Sequence, residues 1–199
     1  MKFDTSSYDP FADLITTPQE RPPNVQNIQF NLLDPLRRLL LATDGTVTKF
    51  LEALTLEPVV IQGLQEYDRL LIEPHAQLRA GAGTRVVGRQ VALVGKFTRT
   101  FHASAASLTV PERLPKALRR ELKKNEAGIG QAIQKIGLET RREILWYGFE
   151  PEAHVISELS EHFPAGCYAR SYLIITQQKP VMLIHERFPV QVDRSGFST

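Results

Sequence analysis

Two charged side chains stand among apolar neighbours in this sequence, and both are of types that hold an anion or move a proton. In the run Val181 to Pro189, strand alternation puts Met182, Ile184, Glu186 and Phe188 on one face and Val181, Leu183, His185 and Arg187 on the other. Glu186 therefore shares its face with large apolar residues. A carboxylate so placed finds a partner or stays protonated, because an unpaired buried charge is costly. The same pattern also fits a glutamate at a sheet edge whose head reaches water. In TRVVGRQVALVG, Val87, Arg89, Val91 and Leu93 share one face, with Gly88, Gln90 and Ala92 on the other. Arginine cannot shed its proton, so Arg89 needs an anion there. A neighbouring glutamate in a structural ion pair and a ligand carboxylate gripped by both prongs of the guanidinium are the two candidates.

Other constellations are weaker. His154, Glu158 and His162 fall four apart in PEAHVISELSEHF, a helical spacing that can hold a metal. No third histidine accompanies them, and a wet surface stripe is the plainer reading. Gly128-Ile129-Gly130 precedes a short helical run, where glycines let backbone N–H groups approach an anion, although an ordinary turn has the same composition. Gly81-Ala82-Gly83 precedes a strand, whereas phosphate loops precede a helix, so it is set aside. The single cysteine, Cys167, leaves no internal disulfide framework or cysteine-based zinc site and fits a reducing cytoplasm.

The elements that must position Arg89 and Glu186 follow from turns and periodicity. Tyr168 to Thr176 and Val181 to Pro189 flank the polar turn Gln177-Gln178-Lys179-Pro180, which predicts a hairpin. Asp34-Pro35 predicts a helix start, with Leu36, Leu39 and Leu40 as its apolar stripe and Gly45 as its end. Val47, Phe50, Leu51 and Leu54 continue into a second helix. Strands are expected at 58–67, from Thr84, at about 98–110, and at 138–148. A helix is expected from Pro111, with Leu114, Leu118 and Leu122 inward and Arg113, Lys116, Arg120 and Lys123 outward, and another over 151–163. Strands joined by hairpins, without βαβ repeats, predict an α+β fold: one antiparallel sheet of about six strands with helices packed on one face. A ligand pocket would then lie between the sheet face bearing Arg89 and Glu186 and the covering helices.

Composition excludes several classes. The 199 residues are 42% hydrophobic and 23% charged, enough for one well-buried core. Lys and Arg number 24 against 22 Asp and Glu, so the net charge of +2 gives no footprint for nucleic acid. No stretch has the length and apolarity of a membrane span or a leader, so a cytoplasmic protein is expected. Residues 1–30 are polar and rich in proline and read as an extended arm, with 31–199 as a single domain.

With these residues in view the sequence resembles the chorismate lyases, which split chorismate into 4-hydroxybenzoate and pyruvate, and resembles their cyanobacterial and archaeal branch more than the enterobacterial one. The blocks carrying the likeness are LLLATDGTVTKFLEAL, VGRQVAL, AGIGQAI, TRREILWYG, and KPVMLIHERFP after YARSYLI, in that order. The resemblance implies that Arg89 and Glu186 line a buried site as its catalytic pair. It further implies substrate contacts from backbone groups at Val47 and Ile129 and support from Arg170. It implies a single antiparallel sheet with helices, no metal and no organic cofactor, and product inhibition by 4-hydroxybenzoate. The pathway implied is supply of a quinone precursor such as that of plastoquinone. Effector-binding domains of bacterial transcription regulators share this sheet architecture and bind small acids without catalysis, and they are the alternative. Those regulators carry a DNA-binding domain ahead of the sensor, for which 30 proline-rich residues are too few.

Overall fold

The computed structural model describes residues 21–124, 128–151 and 155–190. Strands β1 (Val59–Leu70), β2 (Arg85–Gly95), β3 (Phe101–Thr109), β4 (Arg141–Glu150), β5 (Cys167–Thr176) and β6 (Lys179–Pro189) make one sheet in the order β1-β2-β3-β6-β5-β4, each neighbouring pair antiparallel. After β3 the chain crosses to the far edge to lay down β4, and the β5–β6 hairpin then fills the gap. Glu186 is therefore on an interior strand, bonded on both sides, and the reading that put it at a sheet edge falls away.

Helices α1 (Pro35–Ala42), α2 (Val47–Thr55), α3 (Lys116–Lys123) and α4 (Ile129–Lys135) lie on one face of this sheet. Their Leu40, Leu41, Val47, Leu51, Leu118 and Ile133 share a core with Leu93, Tyr172, Ile174, Ile184 and Phe188 of the strands. Burying such side chains is worth about 1.5–3 kcal/mol each, which is why helices this short are stable here and not alone. Asp34 caps α1 as its sequence predicts, its carboxylate accepting the Arg37 N–H at 3.1 Å with Pro35 in the first turn. The opposite face carries Leu145, Trp146, Ala169 and Leu173, covered by the loop residues Leu71 and Leu78 and by Leu159 and Phe163 around the one-turn helix α5 (Ser157–Ser160). Among the described residues no helix is long and apolar enough to cross a membrane.

Three local expectations need correction. The helix expected from Pro111 is a 3-10 turn, Pro111–Arg113, followed by α3 beginning after Pro115, since that proline cannot sit inside a helix. Arg113 consequently leaves the solvated stripe and donates to the carbonyls of Leu78, Arg79 and Pro180. The long helix expected over 151–163 is only α5, whose ends close with i to i+3 bonds at His162 and Phe163. His154 lies outside the described residues, and His162 stacks on Phe101 with ring centroids 4.0 Å apart, so no helical stripe aligns Glu158 and His162 for a metal. Of the N-terminal arm, Gln26 exchanges two backbone hydrogen bonds with Phe149 on the outer strand β4, with Val25 and Phe30 buried. That contact shields part of a sheet edge.

The second face buries a charge cluster. Arg187 Nε donates to Glu150 at 2.7 Å, His185 Nε2 stands 3.0 Å from the same carboxylate, and the Cys167 thiol is 3.7 Å away. Burial alone would raise the Glu150 carboxyl, but His185 and Arg187 outweigh it and hold its pKa down at about 2. Burial pushes the Cys167 thiol up to about 12, and the Glu150 charge adds to the rise, so this cysteine is a small filler without nucleophilic character. Burial also lowers the pKa of His185. Both shifts are depressions, so their stabilisation is present above the ordinary values of the free groups and is lost in acid. Stability should hold between pH 8 and 7, begin to fall as unfolded histidine protonates, and lose about 3 kcal/mol more between roughly pH 5 and pH 2 on account of Glu150. Urea unfolding at stepped pH checks this, and an acid limb of equal depth in Glu150→Gln would overturn the assignment.

Candidate active site

A cavity of about 80 Å³ lies between the middle of the sheet and the starts of α2 and α4. Its position follows from register. Arg89 of β2 sits opposite Ser107 of β3, Ser107 opposite Ile184 of β6, Ala105 opposite Glu186, and Ile184 opposite Tyr172 of β5. Residues paired this way project to the same side of a sheet, so alternation along each strand brings Arg89, Val91, Ser107, Tyr172, Ile184 and Glu186 to one apolar floor. The roof is Gly45 to Thr48 and Gly128 to Gly130. Arg89, Glu186, Val47 and Ile129, four of the five residues singled out in the sequence, thus meet on one cavity.

The fifth, Arg170, stands behind it. Directly opposite Glu186 in register and 1% exposed, Arg170 donates from Nε to Glu186 Oε2 at 2.7 Å. Its Nη1 reaches the carbonyls of Leu41 at 3.1 Å and Thr43 at 2.5 Å, tying the end of α1 to the sheet. Tyr172 donates its hydroxyl to the other Glu186 oxygen at 3.1 Å. Burial, and then the Glu186 charge, raise the Tyr172 pKa, so the phenol stays protonated and donates to Glu186. Glu186 is thereby a carboxylate fixed at both oxygens with one edge turned to the cavity. Such a group can accept a hydrogen bond from a ligand hydroxyl or exchange a proton with it.

Arg89 resolves differently from Glu186. Its neighbour is Glu66, directly across on the outer strand β1, with Nε to Oε2 at 3.3 Å. The side chain of Glu66 is 57% exposed, so this pair is weak and easily exchanged for a better anion. Arg89 borders a second, wider hollow of about 650 Å³ as well, shared with the cavity through Arg89, Ser107 and Ile129 and rimmed by Lys116, Arg119, Arg120 and Lys123 of α3. The outward basic stripe legible in the sequence is the wall of this vestibule.

The two helix starts that roof the cavity have no side-chain caps, at Thr46 for α2 and Gly128 for α4. Their first-turn amides therefore have no partner within their own helices and carry partial positive charge toward this end. A Cβ at Gly130 would overlap Thr46, so the close approach of α4 to α2 is what this glycine provides. Arg142 of β4 also lines the cavity and was not singled out by the sequence reading, because an Arg141-Arg142 doublet at a strand start reads as solvated. Among the described residues no cluster of His, Cys, Asp and Glu could hold a metal.

Solved structures of the same fold include effector domains. The effector domain of PhnF from Mycobacterium smegmatis superposes with a TM-score of 0.55 at 15% identity, covering 83% of this chain and 92% of that one. A GntR-family transcriptional regulator from Bacillus cereus gives 0.52 at 12% identity over 71% and 96%. At such identity these likenesses show the fold alone, which with the cavity defines an antiparallel-sheet protein with a site lined by Arg89, Arg142 and Glu186. The family model described as Chorismate pyruvate-lyase Rv2949c-like matches residues 41–195, and the chain belongs to that family. It is 26% identical over 165 residues to a chorismate pyruvate-lyase of Mycobacterium tuberculosis (strain H37Rv), spanning 80% of this chain and 82% of that protein. To one of Mycobacterium leprae (strain TN) it is 27% identical over 162 residues, spanning 78% and 75%.

Proposed function

We propose that this protein is a chorismate lyase that converts chorismate to 4-hydroxybenzoate and pyruvate in the cavity bearing Arg89 and Glu186, without a cofactor. The observation that carries the reading is that Arg89 and Glu186, set far apart in sequence, line one cavity with Val47 and Ile129 in a member of this family. Chorismate bears a ring carboxylate, a ring hydroxyl and an enolpyruvyl ether. The ether C–O bond breaks with its electron pair leaving on enolpyruvate, the ring proton beside the hydroxyl departs, and its C–H pair becomes the last ring double bond. That proton's equivalent ends on the methylene carbon of enolpyruvate, giving pyruvate. Aromatisation drives the reaction, so the protein has to orient the dianion, exclude water and assist at the hydroxyl end.

Arg89 clamps the ring carboxylate, exchanging Glu66 for it, with the Ile129 amide as a further donor and the Val47 amide at the roof. Glu186 contacts the ring hydroxyl, and Arg170 is its positioning residue. A volume of 80 Å³ is well below the roughly 300–1,000 Å³ of ordinary ligand pockets, so the roof opens to admit substrate, with α1 and α2 as the flap. The product keeps both the carboxylate and the hydroxyl, and product inhibition follows. Residues 31–199 act as one catalytic domain with 1–30 as an arm, in the cytoplasm, with a small molecule as partner and neither nucleic acid nor membrane. The cyanobacterial or archaeal branch and the supply of a quinone precursor rest on the likeness of the sequence blocks. A non-catalytic small-acid sensor is the alternative, favoured only by the regulator domains that share the fold.

The test is to mix the purified protein with chorismate, without added metal, and assay 4-hydroxybenzoate and pyruvate in the same tube. Equal amounts of both above the spontaneous rate are expected. Binding of 4-hydroxybenzoate without turnover would replace the lyase by the sensor, and neither binding nor turnover would overturn both.

A further inference from the structure

The cavity holds a second arginine with unused capacity. Arg142 sits opposite Ile174 in register, lines the same wall as Tyr172 and Glu186, and places its guanidinium carbon 5.8 Å from the Tyr172 ring centroid. Tyr172 donates to Glu186, so Arg142 is at the Glu186 end of the cavity, whereas Arg89 approaches from β2. Its Nη1 donates to the Asp44 carbonyl, a neutral acceptor in the α1–α2 connection. Its Nε is buried with no hydrogen-bond partner among the described residues, and no carboxylate there pairs with it. The guanidinium is half-buried, and its enclosed Nε, which water does not reach, still calls for an acceptor that an anion can supply. Glu186, the carboxylate on this cavity, is already balanced by Arg170 at 2.7 Å.

Resting on the chorismate reading of this site, we infer that Arg142 binds the enolpyruvyl carboxylate and sets the preference for a dianion over a monoanion. In chorismate the ether carbon neighbours the carbon bearing the hydroxyl. A ligand with its ring carboxylate on Arg89 and its hydroxyl on Glu186 therefore turns its side-chain carboxylate toward the Glu186 end, where Arg142 stands. The product lacks this carboxylate. Once enolpyruvate leaves, Arg142 holds nothing of 4-hydroxybenzoate, while Arg89 keeps its grip. Arg142 thus discriminates between substrate and product, which Arg89 cannot do.

The experiment compares KM for chorismate with the inhibition constant of 4-hydroxybenzoate in wild type, Arg142→Gln and Arg142→Lys, with circular dichroism as a check on folding. Loss of charge-assisted hydrogen bonds should raise KM about ten- to a hundred-fold in Arg142→Gln, with the inhibition constant changed less than about twofold. Arg142→Lys, which keeps the charge and loses the fork, should lie between and serves alone if the glutamine variant fails to fold. Equal rises in both constants would mean that Arg142 only ties the Asp44 loop, and no change would mean that it touches no ligand. Either result overturns the inference and leaves the lyase standing. If wild type binds without turnover, calorimetric titration of chorismate and 4-hydroxybenzoate reads the same ratio. A wild type that binds neither removes the chorismate reading and this inference together.

Discussion

Glu186→Gln should slow turnover at saturating chorismate by about 10²–10⁴-fold while KM changes little, the range expected when a positioned acid–base group is lost. The substitution is close to isosteric. Gln keeps one oxygen to accept from Arg170 Nε, and its NH2 can donate to the Tyr172 hydroxyl once that O–H turns, so the site's frame survives while the group proposed to exchange a proton does not. Arg89→Ala should differ in kind. It removes two prongs aimed at a carboxylate present in substrate and product alike, and hydrogen bonds to charged groups are worth about 1.5–3 kcal/mol each. KM and the inhibition constant of 4-hydroxybenzoate should therefore both rise by about 10²-fold or more, with kcat lower as well because the ring is no longer held in line with Glu186. Steady-state kinetics on both variants separates the two roles. Full activity in Arg89→Ala would remove the clamp, and full activity in Glu186→Gln would remove the proton-transfer role.

Both residues stood out in the sequence because they break a pattern that physics otherwise keeps. A charged side chain on an apolar strand face shows in a single sequence, and Met182, Ile184 and Phe188 frame Glu186 as plainly as Val87, Val91 and Leu93 frame Arg89. What the sequence could not say was which anion or cation each would meet. Glu66 lies 23 residues before Arg89 and Arg170 lies 16 before Glu186, and both partners are fixed by register, which hydrophobic pattern does not reveal across strands. The cluster of Glu150, His185 and Arg187 was hidden for the same reason, since β5 separates β4 from β6. Its one visible signal was that His185 and Arg187 share a face with Val181 and Leu183, which demands an acid without naming it. The hairpin turn was legible in place but not in type. Gln177 and Gln178 adopt left-handed φ of 49° and 61°, a geometry usually announced by Asn or Gly. Arg142 was invisible because its face depends on the pairing of β4 with Ile174.

Arg170→Met should destabilise the protein more than any change at the cavity surface. The arginine is fully enclosed, and its removal leaves Glu186 charged, 8% exposed and short of its strongest partner. Breaking a buried pair in this way costs about 3–5 kcal/mol, which for a chain of this size lowers Tm by roughly 6–20 °C. Arg170→Met combined with Glu186→Gln should recover part of that loss, because the uncompensated charge is gone and only the orphaned carbonyls of Leu41 and Thr43 remain. Thermal unfolding of the two single variants and the double completes the cycle. A double variant no more stable than Arg170→Met would mean that the ion pair contributes little and that the ties to α1 dominate. The distinction bears on function, because one guanidinium joins the carboxylate proposed to be catalytic to the end of the helix proposed to lift. If the pair dominates, Arg170 can release Leu41 and Thr43 and keep Glu186 charged while the roof opens. If the ties dominate, opening the roof must itself disturb Glu186, and product release and proton transfer become coupled steps.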